Sequence, residues 1–99
     1  MNFEWDDNKE IINLKKHGIN FERAIKVFGD DYGIEEYDYI HSSYYEDRYH
    51  YIGHIGKQII VCVVYSLLND DTLRIISARF ATRIERERYY EKKNDFRRS

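Results

Sequence analysis

Lys16 and His17 stand side by side immediately before Gly18, and Arg48, Arg74 and Arg79 follow in the second half of the chain. A histidine titrates near neutrality. Placed beside a lysine, it is a mobile-proton group next to a fixed positive charge that also attracts a bound anion. The same two residues at a helix end are equally explained by the helix dipole, which favours cations there. Arginine grips phosphate oxygens in a bidentate fork. Arg79 precedes a helix that Thr82 would start, and helix N-termini attract phosphate. The plainer alternative pairs Arg79 with an acid such as Glu46. Arg74 and Arg79 differ by an odd number, so a regular strand points them to opposite faces, and only a bulge would unite them in one clamp.

Other chemistries find less support. His41, His50 and His54 are close in sequence, yet no cysteine or HExxH pattern completes a zinc set, so no metal and no cofactor is expected. There is no phosphate-cradling glycine loop and no GxSxG nucleophile. The single cysteine, Cys62, lies inside an apolar run and reads as a small buried hydrophobe. The ten tyrosines could stack on RNA bases, although most are explained as strand residues that bury a ring and wet a hydroxyl.

The elements that must position these residues can be read from pattern. Phe3-Glu4-Trp5 is a short edge strand. Asp6 or Asp7 caps a helix whose apolar residues are Ile11, Ile12 and Leu14, and Gly18 ends it. Asn20 caps a second helix with Phe21, Ala24, Ile25 and Phe28 on one stripe. Gly33–Ile40 is an acidic edge strand, and His41–Glu46 a loop. Arg48–Ile55, Gln58–Leu67 and Thr72–Phe80 form a three-strand antiparallel meander, its middle strand covered on both faces. Thr82 with Glu85 gives a capping box for a last helix, which frays from about residue 94. The expected fold is therefore α+β: a small antiparallel sheet built on the meander, with two N-terminal helices and one C-terminal helix, in one domain spanning residues 1–99.

Hydrophobic residues are 42% and charged residues 34% of the chain, a globular balance. No apolar run suffices to cross a bilayer, and the acidic start does not suit a signal peptide, so a cytoplasmic location is expected. The net charge of −2 conceals an asymmetry. Residues 1–47 carry twelve acids and five Lys/Arg, whereas residues 48–99 carry eleven Lys/Arg and six acids. A polyanion would be drawn to the second half.

Phe3-Glu4-Trp5-Asp6, Asn13-Leu14-Lys15-Lys16-His17-Gly18-Ile19, Glu46-x-Arg48 and Arg74-Ile75-Ile76-Ser77-Ala78-Arg79 with Ala81-Thr82 and Glu85-Arg86 together resemble the BrnT family, in order over residues 3–90. The resemblance implies a RelE-like fold and a type II toxin that cleaves RNA without a metal, using the ribose 2′-hydroxyl as nucleophile. It also implies a BrnA-type antitoxin, a ribbon-helix-helix protein through which alone DNA would be reached. In such a nuclease His17 would move a proton, and Lys16, Arg48 and Arg79 would stabilise phosphate charge. Glu46 would act as base or orient an arginine, and Arg74, Arg83 and Arg86 would contact RNA. Two other readings stay open: a non-catalytic RNA- or ribosome-binding module, and an inactive interaction partner of a DNA-binding antitoxin.

Overall fold

In the computed structural model, which describes residues 1–98, β4 (Ile60–Asn69) lies at the centre of a five-stranded sheet in the order β1-β5-β4-β3-β2. Its Ile60, Val61, Cys62 and Val63 are all buried, as a strand covered on both faces requires. β3 (Arg48–His54), β4 and β5 (Thr72–Phe80) form the expected antiparallel meander, and β2 (Ile34–Tyr37) extends it beyond β3. The sheet departs from expectation at its other edge. β1 (Asn2–Glu4) pairs parallel to Thr72–Arg74 of β5, so the sheet is mixed rather than purely antiparallel. A strand of three residues carries no periodic signal that could fix its direction.

Antiparallel partners share a face, which sorts the core into two layers. On one face Val61, Val63, Tyr65, Leu73, Ile75 and Ala78 pack against Ile19, Phe21, Ala24 and Val27. These last residues come from α2 (Phe21–Ala24), the 3-10 turn Ile25–Gly29 and the link before them. On the other face Ile52, Ile60 and Cys62 meet Ala81 and Tyr89 of α3 (Arg83–Arg98) and its lead-in. The helix continues through the tail expected to fray, with Phe96 edge-on to Tyr32. The hub of this second layer is Asp30, buried beneath α3, which accepts from Tyr89 Oη at 2.6 Å, His54 N at 2.9 Å and Tyr32 N at 2.9 Å. Burial alone would raise its pKa, but these donors hold the carboxyl below the usual range. No helix among the described residues is long and apolar enough to cross a membrane.

α1 (Asp7–His17) begins at Asp6, whose carboxylate accepts from Lys9 N, and ends at Gly18 with φ 75°, as its sequence predicts. Its inward face is not the expected one. Ile11 and Ile12 are 54% and 63% exposed, and Leu14 is exposed too. The helix instead buries Asn13, whose amide donates to Ala78 O and Ile19 O and whose carbonyl accepts from Ala78 N. β1 pairs only with the start of β5, so the remaining β5 edge needs partners for its backbone. Asn13 supplies them at Ala78. That demand outranks the burial of two isoleucines.

Candidate active site

The register places the sequence-predicted arginines with unexpected economy. Arg48 of β3, Ser66 of β4 and Arg74 of β5 are successive partners in one row across the sheet, which Glu4 of β1 extends. His50, Val64 and Ser77 form the next row, and Ile52, Cys62 and Arg79 the one after. Between Val64/Ser77 and Tyr65/Ile75 the register shifts, leaving Ile76 as an extra residue in β5. This bulge is the device that the odd spacing required: it returns Arg74 and Arg79 to one face. Strands lie about 4.8 Å apart, so the Cα atoms of Arg48 and Arg74 flank Ser66 at roughly 10 Å from each other. α3 packs over the end of this face that carries Ile52, Ile60 and Cys62, so that Arg79 lies at its border while the row of Arg48, Ser66 and Arg74 lies two rows further along.

Each arginine is held by a carboxylate. Arg48 Nε donates to Glu46 Oε1 at 2.6 Å, and Arg74 donates to Glu4 Oε1 through Nε and Nη2. Arg79 is paired bidentately with Glu85, at 2.6 and 3.0 Å, not with Glu46. Glu85 also closes the expected capping box: its carboxylate accepts from Thr82 N, and its own N–H donates to Thr82 Oγ1. Arg79 is therefore oriented by the first turn of α3. The hydrogen bond to Glu85 raises the Arg79 pKa. Burial pushes Glu85 upward, but Arg79 and the Thr82 N–H pull its carboxyl below the usual range. Arg88 of α3 reaches Glu36 of β2 at 2.7 Å. A guanidinium has five N–H donors, and a carboxylate partner leaves several for a phosphate.

The sequence reading missed Asp38 and the use of His50. Asp38 is buried just beyond β2, where its Oδ1 accepts from the backbone of Ile40 and His41. Its Oδ2 accepts from His41 Nδ1 at 2.9 Å and His50 Nε2 at 2.8 Å. Burial opposes the charge of Asp38, yet His50 and His41 hold its carboxyl far below the usual carboxylate range. One carboxylate thus orients two imidazoles, with His50 Nδ1 and His41 Nε2 turned away from it. His50 Nδ1 points toward Cys62 Sγ, 3.9 Å away, in the row of Arg79. Cys62 is buried, as expected, and burial pushes its thiol up to about 11. The available signal was parity: His50 is two residues from Arg48 and so shares its face.

Lys16 and His17 lie at the edge of the sheet, where they line a shallow groove with Asn13, Ile76 and Ser77. The Ser77 position is on the arginine face, so α1 brings His17 to the β5 side while His50 stands two strands away in the same row. Arg83 and Arg86 are placed on α3, Arg83 paired with Glu87 and Arg86 donating to Ala81 O. A cleft of about 660 Å³ lies at the other end of the sheet by the β3–β4 turn, lined by Lys57, Lys93 and Arg97 among others. Among the described residues no group of three or more His, Cys, Asp or Glu side chains could hold a metal ion.

Comparison with known proteins bears on what this face does. The model of a family described as "Ribonuclease toxin, BrnT, of type II toxin-antitoxin system" matches residues 5–85. The chain belongs to the BrnT family. It is thereby a ribonuclease toxin of a type II toxin–antitoxin system, with an antitoxin as partner. The Brucella abortus ribonuclease toxin BrnT, known from a crystal structure, is similar at 26% identity and a TM-score of 0.63, covering 84% of this chain and 99% of that one. Among curated proteins no match is found. The match reaches from Trp5 through Glu85, and so includes α1, the two rows that carry Arg48, Arg74 and Arg79, and the capping box.

Proposed function

We propose that this BrnT family member is a metal-independent endoribonuclease of RelE-like fold whose RNA lies across the sheet face bearing Arg48, Arg74 and Arg79. The bulge at Ile76 is the observation that carries this reading, because it puts Arg74 and Arg79 on the sheet face that also bears Arg48. The nucleophile is the RNA's own 2′-hydroxyl, which attacks the adjacent phosphorus. The bond to the 5′-oxygen breaks, leaving a 2′,3′-cyclic phosphate and a free 5′-hydroxyl. One group must take the 2′-hydroxyl proton and another must protonate the leaving oxygen. His17, with Lys16 beside it, approaches from the β5 edge. His50, its Nε2 held by Asp38 and its Nδ1 turned toward Cys62, lines the same row from β3 without a free nitrogen for the RNA, so the second proton passes through water. Arg48 and Arg79 stabilise the charge that grows on phosphorus-bound oxygens. Glu46, at 2.6 Å from Arg48 Nε, orients that arginine, which is the second of its two expected roles. Arg74, Arg83 and Arg86 contribute to RNA affinity. The antitoxin is of the BrnA type, and the site of action is the cytoplasm.

The test is cleavage of a defined RNA in chelator, beside a copy carrying one 2′-deoxyribose at the cleaved linkage. Cleavage in chelator to a cyclic phosphate, abolished by the deoxy substitution, is expected. Cleavage of the deoxy copy at that linkage, or cleavage only with a divalent cation, would overturn the mechanism. Binding should weaken steeply with salt, since its source is phosphate neutralisation.

A further inference from the structure

One feature of this face is not used by phosphate chemistry. Ser66, in the row between Arg48 and Arg74, is 1% exposed, and among the described residues its Oγ is the one buried side-chain polar atom without a hydrogen-bond partner. It lines a cleft of roughly 330 Å³ together with Tyr44, Tyr45, Glu46, Asp47 and Arg74. Tyr44 and Tyr45 are 95% and 93% exposed, at the tip of a turn closed by reciprocal Ser43–Glu46 backbone hydrogen bonds of 2.8 and 3.3 Å. Glu46 Oε1 is occupied by Arg48 and Asp47 Oδ1 by the Tyr37 hydroxyl. Among the described residues nothing donates to Glu46 Oε2 or Asp47 Oδ2. A buried serine, two acidic residues and two unsheltered aromatic rings thus border one cleft beside an arginine.

We propose that this cleft binds a guanine base of the RNA and sets where the chain cuts, a proposal that rests on the ribonuclease reading above. Aromatic rings stack on any base, so the tyrosines supply contact without choice. The choice comes from the acceptors. Guanine alone offers two adjacent donors, N1–H and the N2 amino group, along its pairing edge. Adenine and cytosine set a ring acceptor beside their amino group, which a carboxylate repels, and uracil offers one donor between two carbonyls. Ser66 Oγ, as donor or acceptor, completes the set, and Arg74 draws the neighbouring phosphate.

The experiment maps every cut in an RNA containing all sixteen dinucleotides, for the wild type, Ser66→Ala, Asp47→Asn and the double variant Tyr44→Ala/Tyr45→Ala, with 3′-GMP and 3′-AMP binding measured in parallel. For the wild type, cuts should concentrate beside guanine by on the order of tenfold, and 3′-GMP should bind more tightly than 3′-AMP. Losing one paired base contact costs about 1–3 kcal/mol, about five- to 150-fold. Asp47→Asn should therefore erase most of the preference while cutting at other sites changes within about threefold. Wild-type cleavage without guanine preference, or preference retained in Asp47→Asn and Ser66→Ala, overturns the pocket and leaves the ribonuclease reading standing. No cleavage at all overturns that reading, and the nucleotide binding then decides the pocket: equal affinities for the two nucleotides refute it. If the tyrosine variant loses antitoxin binding while its base preference is unmoved, the tip is a protein-docking surface and the proposal falls.

Discussion

Replacing Arg79 with alanine confounds two effects, and the structure shows how to part them. The substitution removes a guanidinium from the proposed RNA face and also strips Glu85 of its bidentate partner. The Glu85 side chain is 14% exposed and that of Arg79 33%, so the ion pair is largely sheltered, though not fully. An unpaired, mostly buried carboxylate costs about 1–3 kcal/mol after allowance for partial solvent screening. For a chain of this size that is a Tm loss of roughly 5–15 °C. The double variant Arg79→Ala/Glu85→Gln removes the stranded charge but keeps an amide oxygen for Thr82 N, so it should recover more than half of the lost Tm. Cleavage behaves differently. Losing a charge-stabilising donor lowers the rate about a hundredfold or more, and restoring the helix start does not replace the donor. Both variants should therefore be equally inactive per folded molecule while differing in Tm. The measurement is calorimetry and single-turnover cleavage on the same preparations. If cleavage returns with Tm in the double variant, Arg79 serves the fold and has no part at the phosphate.

Asn13→Ala leaves Ala78 N, Ala78 O and Ile19 O without their partner, and should cost about 1–3 kcal/mol in denaturant unfolding; a neutral effect would mean that water replaces the amide. Asp30, Asp38 and Glu85 all have depressed folded-state pKa values, so their stabilisation is present above the unfolded carboxylate range near pH 4 and is lost as pH falls through the folded values. Unfolding measured from pH 6 to pH 2 should show stability falling toward acid, with a shallower slope in Asp30→Asn; an unchanged slope would remove Asp30 from the linkage. Cys62 is buried with its thiol pushed up to about 11, so a disulfide reagent should label it only at the rate of unfolding. Stoichiometric labelling within seconds under native conditions would contradict that burial.

Local signals told the truth about local structure. Asp6, Asn20 and the Thr82–Glu85 pair cap the helices that they predict, Gly18 takes its left-handed turn, and the two-sided apolar run of β4 is central. Most of the errors arise where a distant segment decides. Ile11 and Ile12 look like a buried stripe until the unpaired edge of β5 claims Asn13. Arg74 and Arg79 look opposed until one extra residue, Ile76, turns the strand between them. Glu85 takes Arg79 because α3 begins close by, a choice that spacing alone does not separate from Glu46. Asp38 looked like one more acid in an acidic stretch, and only the β2–β3 register sets it against His50.

The parallel pairing of β1 with β5 also governs when this fold can exist. Asn2 N bonds to Asp71 O, Glu4 holds Arg74, and Asn13 closes on Ala78, contacts that span 65 to 70 residues. At a synthesis rate of about 5–20 residues per second, the opening strand and α1 wait roughly 3–14 seconds on the ribosome for their partners. The β3–β4–β5 meander is local and can form first, while the N-terminal segment pays the closure entropy of nearly the whole chain and docks late. Arg74 and Arg79 lie on the strand that completes this closure, and His17 on the helix that must swing in to meet it. The face that carries Arg48, Arg74 and Arg79 is thus complete only once the N-terminal segment has docked on β5.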